Sequence, residues 1–112
     1  MSCIFCEIAA GRIPARKLFE DDQVMAFHDV SPQAPTHVLV IPKAHIPDLD
    51  AVTAGHGTLL GELLLAARKA AAQTGLYGGY RVVVNRGADG GQSVGHLHLH
   101  VLGGRPLAWP PG

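Results

Sequence analysis

Three histidines occupy every second position in Gly95-His96-Leu97-His98-Leu99-His100-Val101-Leu102, and this run constrains the fold more than any other stretch. Strict alternation of a polar type with apolar, β-compatible residues describes a half-buried strand that carries all three imidazoles on one face. At about 3.3 Å rise per residue, His96 and His100 stand about 13 Å apart along such a strand, whereas the ligands of one zinc ion lie only about 2.0 to 2.1 Å from it. One metal does not gather all three. The histidines are therefore expected to have separate tasks, with the central His98 presented to something that its neighbours help position.

A chain of 112 residues with 47% hydrophobic content builds one core, so residues 1–112 are expected to form a single α+β domain. Nine basic and nine acidic residues cancel. Without any block of like charge, the broad electrostatic footprint of a nucleic-acid or membrane-surface binder is not expected. No apolar stretch approaches the roughly 18 residues of a spanning helix, and Met1-Ser2-Cys3-Ile4-Phe5-Cys6-Glu7 lacks a basic segment followed by an apolar one. The expected compartment is the cytoplasm. There, Cys3-x-x-Cys6 points to a metal or redox pair rather than to a disulfide framework, and two free thiols stay open as the alternative.

The periodicity predicts a short helix over Cys3–Ala10, stopped by Gly11, then strands over Arg16–Glu20 and Val24–Asp29 with Asp21-Asp22-Gln23 as a hairpin turn. Ser31-Pro32-Gln33-Ala34-Pro35 carries two prolines and reads as a loop. A third, buried strand is expected over His37–Pro42. Between Asp50 and Thr74, Leu59, Leu60, Leu63, Leu64, Ala67 and Ala71 recur at helical spacing with Arg68, Lys69 and Gln73 opposite, which marks the principal helix. Tyr80–Asn85 is the fourth strand and the histidine run the fifth.

Between the last two strands lies Gly87-Ala88-Asp89-Gly90-Gly91-Gln92-Ser93-Val94-Gly95. It has neither the Lys-Ser/Thr pair of a P-loop nor a GxGxxG before a helix. A plain β-turn connection is one reading. The other is a phosphate cradle of backbone N–H groups with Gln92 and Ser93, since the segment runs directly into the histidine strand.

His96-Leu97-His98-Leu99-His100-Val101-Leu102 resembles the signature of the histidine triad family. Phe27-His28-Asp29-Val30-Ser31-Pro32-Gln33-Ala34-Pro35-Thr36-His37, Asp89-Gly90-Gly91-Gln92-Ser93 and Trp109-Pro110-Pro111-Gly112 resemble its nucleotide-binding branch, which hydrolyses purine nucleoside phosphoramidates. The resemblance spans nearly the whole chain. It implies a five-stranded antiparallel sheet with one long and one short helix, pairing into a homodimer with a continuous ten-stranded sheet. It also implies that the tail, residues 103–112, reaches the partner's site.

A neutral imidazole offers a nitrogen lone pair to phosphorus when its other nitrogen is held as a donor. The resemblance makes His98 the nucleophile that attacks the α-phosphorus, expels an amine and forms a nucleotidyl-histidine that water cleaves. It places His37, His100 and Ser93 with it in the catalytic group. Asn85, Gly91, Gln92 and Ser93 match phosphate and leaving-group contacts, and Asp29 matches the carboxylate that binds the ribose hydroxyls, although an Asp before Ser-Pro is also a turn former. Phe5, Ile8, Ile13, Phe27 and Val30 match the purine pocket, and as large apolar residues they serve a core equally well. Trp109, in a proline-stiffened tail with no core to join, points to an interface or ligand contact. Cys3 and Cys6 have the spacing of half a tetrahedral zinc site, and His45 and His96 match the positions that complete it. His28 and His56 receive no chemistry. A dinucleoside polyphosphate hydrolase and a non-catalytic nucleotide-binding adaptor are the competing functions.

Overall fold

The structure, a computed structural model, describes residues 3–112. In chain order the elements are α1 (Ile4–Ala9), β1 (Lys17–Glu20), β2 (Val24–His28), β3 (Thr36–Pro42), α2 (Gly57–Gln73), β4 (Tyr80–Val83) and β5 (Leu99–Gly103). The five strands form one sheet in the order β1-β2-β3-β5-β4, every neighbouring pair antiparallel. This is the expected five-stranded sheet with one long and one short helix. Among the described residues no helix is long and apolar enough to cross a membrane.

The two faces of the sheet have different partners because successive side chains alternate. Val24, Ala26, Val38, Val40, Leu99 and Val101 point to α2, whose buried stripe is Leu63, Ala66, Ala67, Ala70 and Ala71. Each fully buried valine or leucine there contributes about 1.5–3 kcal/mol. The stripe differs from the expected one: Leu64 is 58% exposed, and Ala66 and Ala70 are buried instead. The helix is rotated so that its alanines, which allow the closest approach to the sheet, face inward, while Leu59 and Leu60 pack at the margin. The opposite face carries Met25, Phe27, Leu39 and Ile41, partly covered by Phe5 and Ile8 of α1. This second face holds the histidines.

Local caps set the element ends. Cys3 is the N-cap of α1, its Sγ accepting the Cys6 N–H at 3.5 Å. Asp21 Oδ1 accepts the N–H groups of Gln23 and Val24 at 2.8 and 2.9 Å, closing the β1–β2 hairpin as expected. The principal helix begins later than its periodicity predicts, at Gly57, after 3-10 turns at Leu49–Ala51 and Ala54–His56. Asp48 caps the first turn, and Thr53 and His56 form a capping box on the second.

The strand expected over the whole histidine run begins only at Leu99. Continuing the β3–β5 register would bring Leu97 opposite Pro42, which has no N–H to offer. Instead the Leu97 N–H donates to Ile46 O at 2.6 Å and the Pro42 carbonyl accepts from the His96 ring at 2.8 Å. Alternation survives the change. Leu97 still joins the α2 core, and the rings of His96 and His98 still lie on the α1 face against Phe5.

Candidate functional site

The three histidines divide between two clusters. In the first, Cys3 and Cys6 from the start of α1, His45 from the loop after β3, and His96 turn their ligand atoms toward one point. The His45 and His96 Nδ1 atoms are 3.2 Å apart, Cys3 Sγ is 3.4 Å and Cys6 Sγ 3.6 Å from His96 Nδ1, and Cys6 Sγ is 3.3 Å from His45 Nδ1. A tetrahedral ion with bonds of about 2.3 Å to sulfur and about 2.05 Å to nitrogen separates its ligands by about 3.3 Å for N···N and about 3.6 Å for S···N. The four residues thus lie close enough to hold a metal. A backbone carbonyl only accepts, so the His96 proton sits on Nε2 against Pro42 O and Nδ1 turns its lone pair to the cluster.

The second cluster is built around His98. Its Nδ1 lies 2.6 Å from the His96 carbonyl oxygen. The same reasoning places its proton on Nδ1 and leaves a lone pair on Nε2. Buried His37 accepts the backbone N–H of Gln33 on its Nδ1 at 3.0 Å, so its own proton is on Nε2, which donates to His100 Nδ1 at 2.8 Å. His100 is left with an Nε2–H for which there is no acceptor among the described residues. A relay of fixed tautomers therefore runs from the Gln33 peptide to the neighbourhood of His98, whose ring centroid is 4.9 Å from that of His100. Asp29, His37 and His100 also meet the spacing of a metal cluster. The proton on His37 Nε2, the atom that would have to ligate, makes this group a hydrogen-bond relay.

Burial lowers the pKa of His37, with the nearby Asp29 carboxylate opposing and His98 assisting. Burial chiefly, and then the neighbouring His98 and His37, bring His100 down to about 4 against the pull of Asp29. Both rings are neutral at pH 7. Asp29 serves as a turn former and more: Oδ1 accepts the Ser31 N–H at 2.8 Å, while Oδ2 stands 3.5 Å from His37 Nε2.

Phe5 packs edge-on against both His96 and His98, with centroids 5.8 and 5.2 Å away, and so forms the wall between the two clusters. Phe5, Ile8 and Phe27 are buried in the core beneath the site, whereas Ile13 and Val30 are exposed. The glycine-rich loop is a closed turn. Gly90 is needed where it stands, since a Cβ there would lie 2.3 Å from Arg86 O. Asn85 Nδ2 donates to Gly90 O at 2.6 Å, and the Gln92 amide accepts from Gly87 N and donates to Pro47 O and Val94 O. Gln92 thus braces the loop with its whole amide. Gly91 sits at φ +78° at the end of this turn, and Ser93 is exposed beyond it with no intramolecular partner among the described residues.

His56 is a helix-capping residue, accepting the Thr53 N–H at 3.0 Å, and burial lowers the pKa of half-buried His28. Trp109 is 82% exposed in the tail. Gln33 and Pro42 escaped the sequence reading because they act through the backbone. The two prolines around Gln33 were the available signal that the loop is stiff.

The fold and this disposition of histidines define a histidine site on an antiparallel sheet, and comparison with known proteins places it. The pattern of the HIT domain family matches residues 10–107. A HIT-like protein of Synechococcus elongatus is 58% identical over 109 residues, covering 97% of this chain and 96% of its own. The crystal structure of a HIT family hydrolase from Legionella pneumophila Philadelphia 1 superimposes with a TM-score of 0.97 at 51% identity, covering 99% of this chain and 100% of that one. A histidine triad nucleotide-binding protein from Candida albicans does so with a TM-score of 0.82 at 34% identity, over 97% and 83% of the respective chains. The chain belongs to the HIT domain family.

The depressed histidines make stability pH-dependent with a definite sign. Unfolded imidazoles take up protons near pH 6.5, whereas folded His100 resists until about pH 4 and His37 also titrates below its ordinary value. In that window the unfolded chain binds more protons, so stability is full above about pH 6.5 and falls as the pH drops toward 4. Urea unfolding at pH 7 and pH 5 should show a lower midpoint at pH 5, and His100→Asn should shrink the difference. An unchanged difference in the variant would remove His100 from the account.

Proposed function

We propose that the protein hydrolyses the phosphorus–nitrogen bond of purine nucleoside 5′-phosphoramidates through a covalent intermediate on His98. The observation that carries this reading is the pairing of a lone pair fixed on His98 Nε2 with a donor fixed on His100 Nε2. His98 Nε2 attacks the α-phosphorus in line with the leaving nitrogen, forming a P–N bond to the imidazole. The P–N bond to the amine breaks, and the amine leaves after taking a proton from solvent. The His98 Nδ1–H stays on the His96 carbonyl and disperses the positive charge of the phosphorylated ring. Water then attacks phosphorus, the nucleoside monophosphate departs, and His98 returns to its neutral form.

His100 Nε2–H and the unclaimed Ser93 hydroxyl at the end of the braced loop bind the non-bridging oxygens, with Asn85, Gly91 and Gln92 holding that loop in place. The purine lies among Phe5, Ile8, Ile13, Phe27 and Val30, and Asp29 takes the ribose hydroxyls. Support for a nucleotide ligand comes from the Candida albicans neighbour, whose name states that it binds nucleotides. In a purified sample, adenosine phosphoramidate should be turned over much faster than a diadenosine polyphosphate, and mass spectrometry of quenched reactions should locate a nucleotidyl group on His98. His98→Ala should lower kcat by at least about a thousandfold while nucleoside monophosphate still binds. Near-normal kcat in that variant would end the assignment.

Zinc is the metal that suits the thiolate and imidazole set of Cys3, Cys6, His45 and His96. Four protein ligands leave no position for substrate, so the ion's contribution is structural: it ties α1, and with it the Phe5 wall, to the sheet. Elemental analysis of protein purified without chelator should give one zinc per chain, and Cys3→Ser with Cys6→Ser should lose the ion and lower the thermal midpoint while activity survives in the cold. Less than about 0.1 zinc per chain in the wild type would leave the cysteines as ordinary thiols.

The partner is a second copy, paired through β4. Of the two sheet edges, β1 carries a register irregularity and the charged Lys17 and Glu20, features that discourage pairing, while β4 reads Tyr80-Arg81-Val82-Val83. Arg81 Nη2 also holds the carbonyls of Leu107 and Ala108 at 3.3 and 2.7 Å, which draws the tail to this edge and supports the reading that exposed Trp109 meets the partner. Sedimentation at micromolar concentration should therefore give twice the chain mass of 11.8 kDa, and Val82→Asp with Val83→Asp should give the monomer; a monomeric wild type would refute the pairing.

A further inference from the structure

The last backbone pair of the β3–β5 ladder is Thr36 with Gly103. One step further Pro35 faces Gly104, and proline has no N–H with which to continue. Both chains leave the sheet here, one running back into the loop that begins at Asp29 and the other forward into the tail. They touch closely all the same: Gly104 has φ +92°, and a Cβ on it would stand 2.8 Å from Pro35 Cβ. What joins them beyond the ladder is a side chain. Arg105 reaches across Pro35, and its Nη2 donates to the carbonyl of Gln33 at 3.2 Å while Nη1 donates to Pro106 O at 3.1 Å.

Gln33 is the residue whose own N–H donates to His37 Nδ1. Among the described residues, Arg105 supplies the one hydrogen bond that reaches the Gln33 backbone from outside the segment between Asp29 and His37. We propose that Arg105 is a positioning residue: by clamping the Gln33 backbone it keeps His37 in the Nε2–H tautomer and thereby aims the His100 donor at the reacting phosphate. Without the clamp on its carbonyl, the Gln33 backbone is held by no hydrogen bond from outside its loop, and the preceding peptide that carries its N–H swings away from His37 Nδ1. A ring without that donor populates both tautomers, and the Nδ1–H form sets the His37 Nε2 lone pair against the lone pair of His100 Nδ1. The tail thus contributes to the site of its own subunit through Arg105.

This inference rests on the phosphoramidase reading for its catalytic half alone, since the tautomer is observable without turnover. Nitrogen-15 imidazole spectra of the wild-type protein at neutral pH, assigned by loss of the His37 signals in His37→Gln, should show a single Nε2–H tautomer for His37. Arg105→Ala should convert it to a mixture and lower kcat for adenosine phosphoramidate about fivefold, in keeping with loss of one exposed hydrogen bond. In the His37→Gln background the same substitution should have no further effect on kcat, because its route to the site is already cut. A pure Nε2–H tautomer in Arg105→Ala would overturn the clamp, as would an undiminished effect of Arg105→Ala in the absence of His37. The spectra decide the clamp even on a protein that turns over no phosphoramidate, an outcome that would refute the function reading instead.

Discussion

Three imidazoles of the site, those of His37, His96 and His98, are each tied to the main chain by one nitrogen, and the arrangement depends on this constraint. Pro42 O takes the His96 Nε2–H, His96 O takes the His98 Nδ1–H, and Gln33 N–H occupies His37 Nδ1. Hydrogen bonds to main-chain groups do not rotate about a single bond as those to hydroxyls or water do. Each ring therefore keeps one nitrogen in reserve with its protonation already decided. The peptide framework thus turns the His96 lone pair to the cysteine cluster, leaves the His98 lone pair on Nε2, and directs the His37 proton to His100.

Burial supports the same division. Removing His37 and His100 from water penalises their charged forms, so they act as neutral donors and acceptors across the physiological range. That environment exists because α2 fills the far face of the sheet with leucine and alanine, while Phe5 and Phe27 close the near face in edge-to-face contact at 5.6 Å. Core and site are two sides of the same strands.

Much of this was legible in the residues because it depends on periodicity. The alternation at His96–Val101 placed three rings on one face, and the Asp21 turn, the Pro42 stop and the leucine–alanine helix declared themselves by spacing and type. Where the reading missed, the deciding groups carried no side-chain signal. The fifth strand is shorter than its alternation suggests because a proline opposite Leu97 withholds its N–H, a fact that depends on a pairing register not visible in a linear chain. Leu64 has core spacing yet faces solvent, because hydrophobicity does not reveal which neighbouring stripe a helix turns inward. Arg105 carries no signal in the sequence, since its target is a carbonyl 72 residues away.

His96 combines two unrelated duties in one residue. Its imidazole belongs to the cysteine cluster, while its carbonyl orients the ring two positions on. A carbonyl belongs to every amino acid. The second duty is therefore indifferent to the identity of the side chain so long as the peptide at 96 keeps its place, which the neighbouring Leu97 N–H bond to Ile46 helps to secure. Two selective pressures on one codon are thereby uncoupled: a lineage that abandoned the thiols could replace the imidazole at 96 and still keep the carbonyl that orients the His98 ring.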